Sequence, residues 1–293
     1  MRRMTSRVID GPTVVREARR MTLAPDRPDR PDRPDVPPFG HLLRQWRTRR
    51  RLTQLELAHG AGVSTRHVSF VETGRSTPSR EMVLHLAGHL ALPLRERNRL
   101  LLAAGYAPVF DETELDSPRL SAVRDAVRHV LRGHEPYPAL VVDRYWDVVD
   151  ATQGLSLLLA GVADDLLAPP VNALRVALHP QGLARRVLNG GQWREHLVER
   201  LRQQVDLSAD PRLEALLREM RGYPPRAHDA GLTVAGSRVG DPAVPLRLEH
   251  EGRVLSFVST LTMFGTPLDV TVSELVIEAF YPADAAPAAA LAR

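Results

Sequence analysis

Between Phe39 and Gly105, apolar residues recur at the three- and four-residue spacing of α-helices, with short breaks between the runs. Thr53 followed by Glu56 is a capping box, in which each side chain satisfies a free backbone N–H group at a helix start. The pattern predicts five helices, over Phe39–Arg50, Gln54–His59, Thr65–Glu72, Ser79–Leu90 and Leu94–Ala104. Five short helices in succession indicate a compact all-α domain over residues 39–110.

Charge is distributed unevenly along the 293-residue chain, in which all 39 Lys and Arg positions are arginine. Residues 39–110 have 11 arginines against four acidic residues, whereas residues 111–293 have 19 arginines against 25 acidic residues. A basic block beside an acidic remainder favours a polyanion-binding domain joined to a domain with another role. Chance clustering would give the same totals, so charge alone does not decide between the two explanations.

Composition excludes several classes of protein. No apolar run approaches the roughly 18 residues of a membrane helix, and no apolar segment of a secretory signal follows the N-terminal arginines. The absence of cysteine excludes disulfides, thiolate metal sites and cysteine nucleophiles. We therefore expect a cytoplasmic, nucleoid-associated protein with no membrane contact and no cofactor.

The segment QLELAHGAGVSTRHVSFVET, from Gln54 to Thr73, fits two helices that cross at a steep angle. Such a pair needs a small residue at the crossing, here Ala58, and a glycine in the turn, here Gly62. The apolar side chains that would face the first helix are Leu57, Val63, Val68 and Val71. Ordinary helical bundles also contain such patterns, so the spacing by itself leaves both interpretations open.

Side chains that point away from the packed face are candidates for contact with DNA. A helix of this kind lies in the major groove and reads base edges near its N-terminus. Arg66 can form paired hydrogen bonds with guanine, and Phe70 can contact a thymine methyl group or pack on its own helix. The remaining candidates on this helix and its cap are Ser64, Thr65, His67 and Ser69.

Residues 41–92 resemble the Xre-type, phage-repressor-like helix-turn-helix family. The matching positions at fixed spacing are Arg47, Leu52, Thr53, Gln54, Leu57, Ala58, Gly62, Val63, Ser64, Ser69, Glu72, Gly74, Arg75 and Pro78. The resemblance implies a lambda-repressor-like fold and a homodimer that binds a double-stranded DNA operator.

The same resemblance implies roles for four of these residues. Gln54, at a helix start, would bond to a DNA phosphate, and Arg75 would contact the DNA backbone or minor groove. Arg47 and Glu72 would form a structural ion pair between the first and third helices, and neither would contact bases.

A metal site in this region is not supported. His85 and His89 lie four residues apart, one turn after Glu81, which invites comparison with a zinc-binding helix. The HExxH pattern needs a glutamate directly after the first histidine, and Leu86 stands there. We therefore assign no metal ligands and no catalytic residues.

After Gly105 the pattern changes to strands, then helices, then strands again. The predicted strands lie within Tyr137–Thr152 and at Leu232–Ala235, Leu246–His250, Arg253–Phe264 and Val272–Phe280. The predicted helices lie at Gln153–Leu159, Asn172–Leu178, Gln192–Val205 and Pro211–Glu219. Glu251–Gly252 is predicted to form a hairpin turn. This order suggests an α+β domain with an antiparallel sheet.

This second half resembles the ligand-binding domain of MmyB-like regulators, which follows an Xre-type helix-turn-helix in that family. The segments that show the likeness are PYPALVVDRYWDVVDAT, NALRVALHP, LVERLRQQVD, PRLEAL and FGTPLDVTVSELVIEAFYPAD. The likeness covers residues 111–284 and implies a PAS-like fold. It also implies a small, apolar, fatty-acid-like ligand between the sheet and the helices.

Five residues are candidates for contact with such a ligand: Tyr145, Trp146, Leu174, Arg175 and His179. Arg175 could hold a carboxylate. Trp146 and Leu174 would equally suit a hydrophobic core, and Arg175 an ion pair within the protein. Two other functions stay open for this domain, a module for dimerisation or protein interaction alone and an enzyme without a recognisable motif.

Both chain ends are expected to be disordered. The leader at residues 1–38 ends in a repeat of proline and paired opposite charges that has almost nothing to bury, with a weak helix predicted at Val8–Met21. The alanine-rich segment at residues 285–293 is expected to be a disordered tail.

Overall fold

The computed structural model describes residues 37–224, 244–265 and 267–291. The described residues form one compact unit. The predicted leader lies almost wholly outside the described residues, as do the helix predicted at Val8–Met21 and the strand predicted at Leu232–Ala235.

All five helices predicted in the N-terminal half are present. They are α1 (Phe39–Arg49), α2 (Gln54–Gly60), α3 (Thr65–Glu72), α4 (Arg80–His89) and α5 (Leu94–Ala103). The capping box at the start of α2 has both of its hydrogen bonds. The Glu56 N–H donates to Thr53 Oγ1 at 3.1 Å, and the Thr53 N–H donates to Glu56 Oε2 at 2.7 Å. Local capping therefore fixes where this helix begins.

The five helices enclose a hydrophobic core of their own, around Leu43, Leu57, Val68, Leu86 and Leu100. Helices α1 and α3 approach each other closely at the first turn of α1. A Cβ atom on Gly40 would lie 2.4 Å from the carbonyl oxygen of Glu72, so only glycine fits there.

Seven helices and five strands follow. The helices are α6 (Ser121–His134), α7 (Ser156–Leu159), α8 (Ala173–Leu178), α9 (Gly190–Ser208), α10 (Pro211–Gly222), α11 (Val270–Ser273) and α12 (Ala285–Leu291). The strands are β1 (Ala139–Val142), β2 (Val148–Ala151), β3 (Leu246–His250), β4 (Arg253–Met263) and β5 (Val276–Pro282). These counts refer to the described ranges.

The strands form one sheet in the order β2-β1-β5-β4-β3, and every neighbouring pair is antiparallel. Between β3 and β4, Glu251 and Gly252 have φ angles of 48° and 72°. Two consecutive residues in the left-handed region form the tight hairpin turn that matches sheet twist. The α+β, PAS-like fold with an antiparallel sheet is thus confirmed.

Helices cover both faces of the sheet. On one face, Val127 and Leu131 of α6 pack against Val141 and Ile277. The opposite face packs on α8, α9 and α10 and contains the larger of the two cores. The candidate ligand cavity lies on this second face.

Two predictions about the end of the chain differ from the structure. The predicted strand Val272–Phe280 begins only at Val276, because the Asp269 carboxylate accepts from the Val272 N–H at 3.3 Å and starts the short helix α11. The disordered tail is wrong for Ala285–Leu291, which form α12. Alanine has the highest helix propensity, and Ala286 and Ala290 find an apolar surface to cover.

Candidate DNA-binding surface and ligand cavity

Helices α2 and α3 have the packing that the sequence pattern predicted. Ala58 and Val68 are buried between the helices, and Val71 is buried below them. Gly62 has a φ of 63°, which allows the chain to turn sharply between α2 and α3. Buried apolar side chains therefore hold the two helices together, and polar side chains lie on their outer face.

Arg47 and Glu72 form the predicted structural pair. Arg47 Nε donates to Glu72 Oε1 at 2.6 Å, and Arg47 Nη2 donates to Glu72 Oε2 at 3.1 Å. The Glu72 side chain is 2% exposed and the Arg47 side chain is 12% exposed. Gln54 joins this pair, because its Nε2 donates to Glu72 Oε2 at 2.8 Å. Gln54 is thus held at the start of α2 by the same carboxylate that links α1 to α3.

Arg66, Phe70 and Arg75 form a stack on the outer side of α3. The guanidinium carbon of Arg66 lies 4.9 Å from the centre of the Phe70 ring, and that of Arg75 lies 5.8 Å from it. Both arginines are exposed, and neither guanidinium has a hydrogen bond or ion pair with the described residues. The ring contacts two cations whose donors are free among the described residues, an arrangement suited to a polyanion.

The remaining predicted DNA contacts lie around the start of α3. Ser64 caps the helix, since its hydroxyl accepts from the His67 N–H at 3.1 Å, and Thr65 is exposed. His67 and Ser69 are half-buried. Within the described part of the chain, the buried Nε2 of His67 has no hydrogen-bond partner.

Among the described residues, His85 and His89 of α4 have no third side chain beside them that could complete a metal site. Their rings lie 4.9 Å apart, and His85 Nε2 is 2.7 Å from the carbonyl oxygen of Ala61. Among the described residues, no group of three or more His, Asp or Glu side chains could hold a metal ion.

A cavity of about 340 Å³ lies between the sheet and the helices of the C-terminal half. This volume is at the lower end of the range for small-molecule sites. The lining is almost entirely apolar and comprises Leu140, Trp146, Val148, Ala151, Leu155, Leu158, Leu159, Leu167, Val171, Ala173, Leu174, Val176, Ala177, Leu183, Trp193, Leu197, Leu246, Glu278 and Phe280. A flexible hydrocarbon chain would bury its surface well here.

Two of the five predicted ligand contacts, Trp146 and Leu174, line this cavity. The other three lie outside its lining. The Tyr145 ring lies between the guanidinium groups of Arg144 and Arg212, at 4.4 Å and 3.8 Å from their carbons.

Arg175 and His179 have their partners outside the cavity lining. Arg175 forms a two-point ion pair with Glu219, with both N···O distances at 2.8 Å, which lowers the pKa of that carboxyl. His179 packs edge-on against the ring of Tyr223. The alternative of an internal ion pair therefore describes the Arg175 side chain in this structure.

Two polar lining residues were missed from the sequence, Glu278 and Trp193. Glu278 is 5% exposed, and its Oε1 accepts from Arg200 Nη1 at 3.1 Å. The glutamate between the apolar residues of VIEAFY was a usable signal, because a charged side chain in a buried strand needs an opposite charge or a functional role. The Trp193 Nε1 is buried and has no hydrogen-bond partner among the described residues.

The backbone of Trp146, a residue of the cavity wall, has an unusual conformation. Its φ is 68°, in the left-handed region that costs a large side chain about 1–3 kcal/mol. The side chain is held by Gln204, whose Oε1 accepts from Trp146 Nε1 at 2.7 Å, and by the guanidinium of Arg200, 4.8 Å from its ring. The cavity wall is therefore tied to α9 at this residue.

Comparison with known proteins identifies both halves of the chain. A helix-turn-helix domain model matches residues 38–100. A model described as the MmyB-like transcription regulator ligand binding domain matches residues 123–293, more than half of the chain. The chain belongs to this MmyB-like regulator family. It is a transcriptional regulator with a helix-turn-helix and a ligand-binding domain, which confirms both resemblances seen in the sequence.

A curated relative supports the first half of this assignment. The regulator is 38% identical over 78 residues to the uncharacterized HTH-type transcriptional regulator RghRB of Bacillus subtilis (strain 168). The match covers 26% of this chain and 54% of the relative, so the regulator spans about half the length of that protein. None of the helices in the described ranges is long and apolar enough to cross a membrane.

The two halves of the regulator meet at the C-terminal end of α9. Arg49 Nη1 donates to the carbonyl oxygen of Val205, and Arg50 Nη1 donates to that of Asp206, both at 3.2 Å. The last carbonyls of a helix lack partners within the helix and attract cations. Arg49, the last residue of α1, and Arg50, which follows it, thus cap α9, and Ala209 packs against the N-terminal core.

A second contact joins α5 to the sheet domain. Arg95 forms an ion pair with Glu274, which follows α11, and another with Glu112. Arg144 also approaches Glu274, at 3.5 Å, and is paired with Asp210. Burial acts to raise the pKa of the Asp210 carboxyl, but hydrogen bonds from the Arg212 backbone N–H and from Arg144 lower that pKa overall.

Gln204 connects this charged cluster to the cavity wall. Its Nε2 donates to the carbonyl oxygen of Arg144 at 2.7 Å, while its Oε1 holds the Trp146 indole. A continuous series of contacts therefore runs from the cavity through Gln204 and Arg144 to Glu274 and Arg95 of the helix-turn-helix half.

Proposed function

We propose that the regulator binds a DNA operator through α3 and that a small apolar molecule in the cavity changes its affinity for that operator. The observation that supports this most directly is the double role of α9. Trp193 and Leu197 of this helix line the cavity, and two of its last carbonyls accept hydrogen bonds from Arg49 and Arg50 at the end of α1. A change at the cavity therefore has a short path to the DNA-binding helices.

On the DNA side, α3 supplies base recognition and its surroundings supply phosphate contacts. Arg66 is the proposed reader of guanine, with Thr65, His67, Ser69 and Phe70 beside it. Arg75, Ser64 and Gln54 are the proposed positioning contacts to the DNA backbone. For Gln54, the bond to Glu72 uses one amide hydrogen and leaves the second for a phosphate.

We propose a homodimer that places two copies of α3 in successive major grooves, about 34 Å apart, on a near-palindromic operator. Light scattering of the purified protein with and without a duplex operator would test this. A single protomer on each duplex would contradict it.

On the ligand side, we propose a molecule that is fatty-acid-like in its chain, flexible and mostly hydrocarbon. Such a ligand controls DNA binding only if it binds the two states of the regulator unequally. The contacts from Trp146 through Gln204 to Arg144 and those at the end of α9 are the elements that would differ between the states.

The test uses the full chain and a duplex selected from random DNA by the wild-type protein. Fluorescence anisotropy would measure DNA affinity with and without dodecanol or dodecanoate. We expect at least one of these to change the affinity by about fivefold or more. Leu197→Trp, which fills the cavity, should abolish the effect, whereas Glu195→Trp on the exposed face of the same helix should not.

Two results would contradict the proposal. One is that neither dodecanol nor dodecanoate changes the DNA affinity and that native mass spectrometry of the purified protein detects no bound small molecule. The other is an equal response in the wild type and Leu197→Trp, which would place the effect outside the cavity.

A further inference from the structure

The cavity has one charged residue in its lining, as far as the described residues show, and that residue is acidic. Glu278 lies in the middle of β5, where the strand's alternation turns Val276, Glu278 and Phe280 towards the core. The other lining side chains are aliphatic or aromatic. An ionisable group in such surroundings decides which head groups a ligand can have.

Glu278 already has its counter-charge. Its Oε1 accepts from Arg200 at 3.1 Å, and the Arg200 side chain is itself only 15% exposed because it packs over the Trp146 ring. The second oxygen, Oε2, accepts no hydrogen bond from any described residue. The cavity therefore offers a free acceptor whose negative charge is balanced from outside the lining.

The described lining holds no cation for a ligand carboxylate. Arg175 is paired with Glu219, and the Arg186 guanidinium bonds to the carbonyl oxygens of Leu157, Leu158 and Ala160. A ligand carboxylate beside Glu278 would be a second anion in one apolar site, which the two groups cannot both sustain in ionised form. A hydroxyl group there would instead donate to Oε2, which satisfies both the hydroxyl hydrogen and that carboxylate oxygen.

We infer that the cavity selects an uncharged ligand, a long-chain alcohol in which the hydroxyl donates to Glu278 Oε2, and discriminates against the corresponding carboxylate. This inference rests on the proposed function, since it takes the cavity as the ligand site. It goes beyond it by assigning the head group and by making Glu278 the residue that determines specificity.

The test compares ligands that share one chain and differ in the head group. Dodecanol, dodecanoate and the methyl ether of dodecanol would be titrated into the full-length protein at neutral pH, below their aggregation concentrations. Fluorescence of Trp146 and Trp193, which line the cavity, would report binding. We expect dodecanol to bind about tenfold or more tightly than either of the others, since a hydrogen bond to a charged group is worth that much.

Two variants assign the discrimination to Glu278. Glu278→Gln keeps an acceptor and removes the charge, so dodecanoate should gain about tenfold and dodecanol should lose affinity. Arg200→Gln with Glu278→Gln removes both charges and avoids leaving an unpaired buried arginine. Glu199→Gln, an exposed residue of α9, is the control and should bind like the wild type. Circular dichroism would establish that each variant is folded.

The outcomes separate this inference from the proposed function. If dodecanoate binds as tightly as dodecanol to the wild type, and Leu197→Trp abolishes both, the cavity is the ligand site but the head-group assignment is wrong. If the methyl ether binds as tightly as dodecanol, the proposed hydrogen bond from the ligand hydroxyl to Glu278 is wrong. If no ligand binds, or binding survives Leu197→Trp, the proposed function fails as well.

Discussion

Arg95 of α5 and Glu274, the residue after α11, form a two-point ion pair between the helix-turn-helix half and the sheet domain. Arg95 Nε donates to Glu274 Oε1 at 2.8 Å, and Nη2 donates to Oε2 at 2.9 Å. Paired hydrogen bonds of this kind fix orientation as well as distance. The geometry of the two halves is thus set by one planar contact, with the capped end of α9 as the second point of attachment.

Glu274→Gln should weaken the dependence of DNA affinity on ligand while leaving DNA binding without ligand close to wild type. The reason is that Glu274 is bonded to both Arg95 and Arg144 and lies on the path from the cavity. The measurement is the ratio of DNA affinities with and without dodecanol. Arg119→Ala, which breaks an exposed ion pair with Asp111, is the matched control. A full ligand response in Glu274→Gln would remove this contact from the mechanism.

Arg66→Ala should reduce discrimination between the selected duplex and random DNA, by about 1–3 kcal/mol. Arg75→Ala should weaken binding evenly across sequences and lower the salt slope by about 1. Anisotropy titrations at several salt concentrations would measure both quantities. Arg128→Ala, on the exposed face of α6, should alter neither. If Arg66→Ala keeps the wild-type ratio, another residue reads the sequence.

Gly40→Ala should destabilise the helix-turn-helix half, because the added methyl group would meet backbone atoms of Val71 and Glu72 at 2.4–2.6 Å. Helices α1 and α3 would have to separate, and overpacking of this kind typically costs about 1–3 kcal/mol. Gly88→Ala in α4 is the control, since nothing lies within 4 Å of the place its methyl group would occupy and alanine favours a helix. The midpoint temperature of thermal unfolding should be lower for Gly40→Ala than for the wild type, and equal or higher for Gly88→Ala.

Acid should destabilise the protein through His196. Burial and the nearby Arg200 lower the pKa of this imidazole from its ordinary 6.5. The unfolded chain therefore binds a proton that the folded protein resists, and stability falls as the pH drops below about 6.5. In urea unfolding, the free energy of unfolding should fall less between about pH 8 and about pH 5.5 for His196→Gln than for the wild type. His129→Gln, at an exposed position, should lose as much as the wild type.

Much of the N-terminal half could be predicted from the sequence because its signals are local. The cap at Thr53, the turn at Gly62 and the spacing of Leu57, Val68 and Val71 each act within a few residues. The pair between Arg47 and Glu72 came from family resemblance, since residues 25 apart in sequence give no local signal of contact.

The cavity was harder to predict because sequence shows which residues are on a helix and not which side faces a ligand. Leu174 and Arg175 are consecutive residues of α8, so their side chains point about 100° apart and both could not face the cavity. Trp146, in the segment predicted to contain two strands, lies between β1 and β2 with a positive φ. The contacts of Arg49, Arg50 and Arg95 with the sheet domain are long-range pairings with no sequence pattern at all.

Under the proposed function, helix α9 makes the ligand-binding and the DNA-binding parts of this protein separable. Trp193 and Leu197, near one end, shape the cavity, while Val205 and Asp206, near the other, hold the DNA-binding half, about 18 Å further along the helix. Substitutions at the first end would change which molecule is detected without altering the junction. Substitutions at the second would tune how strongly detection is transmitted, so the helix offers two independent adjustments for building a biosensor.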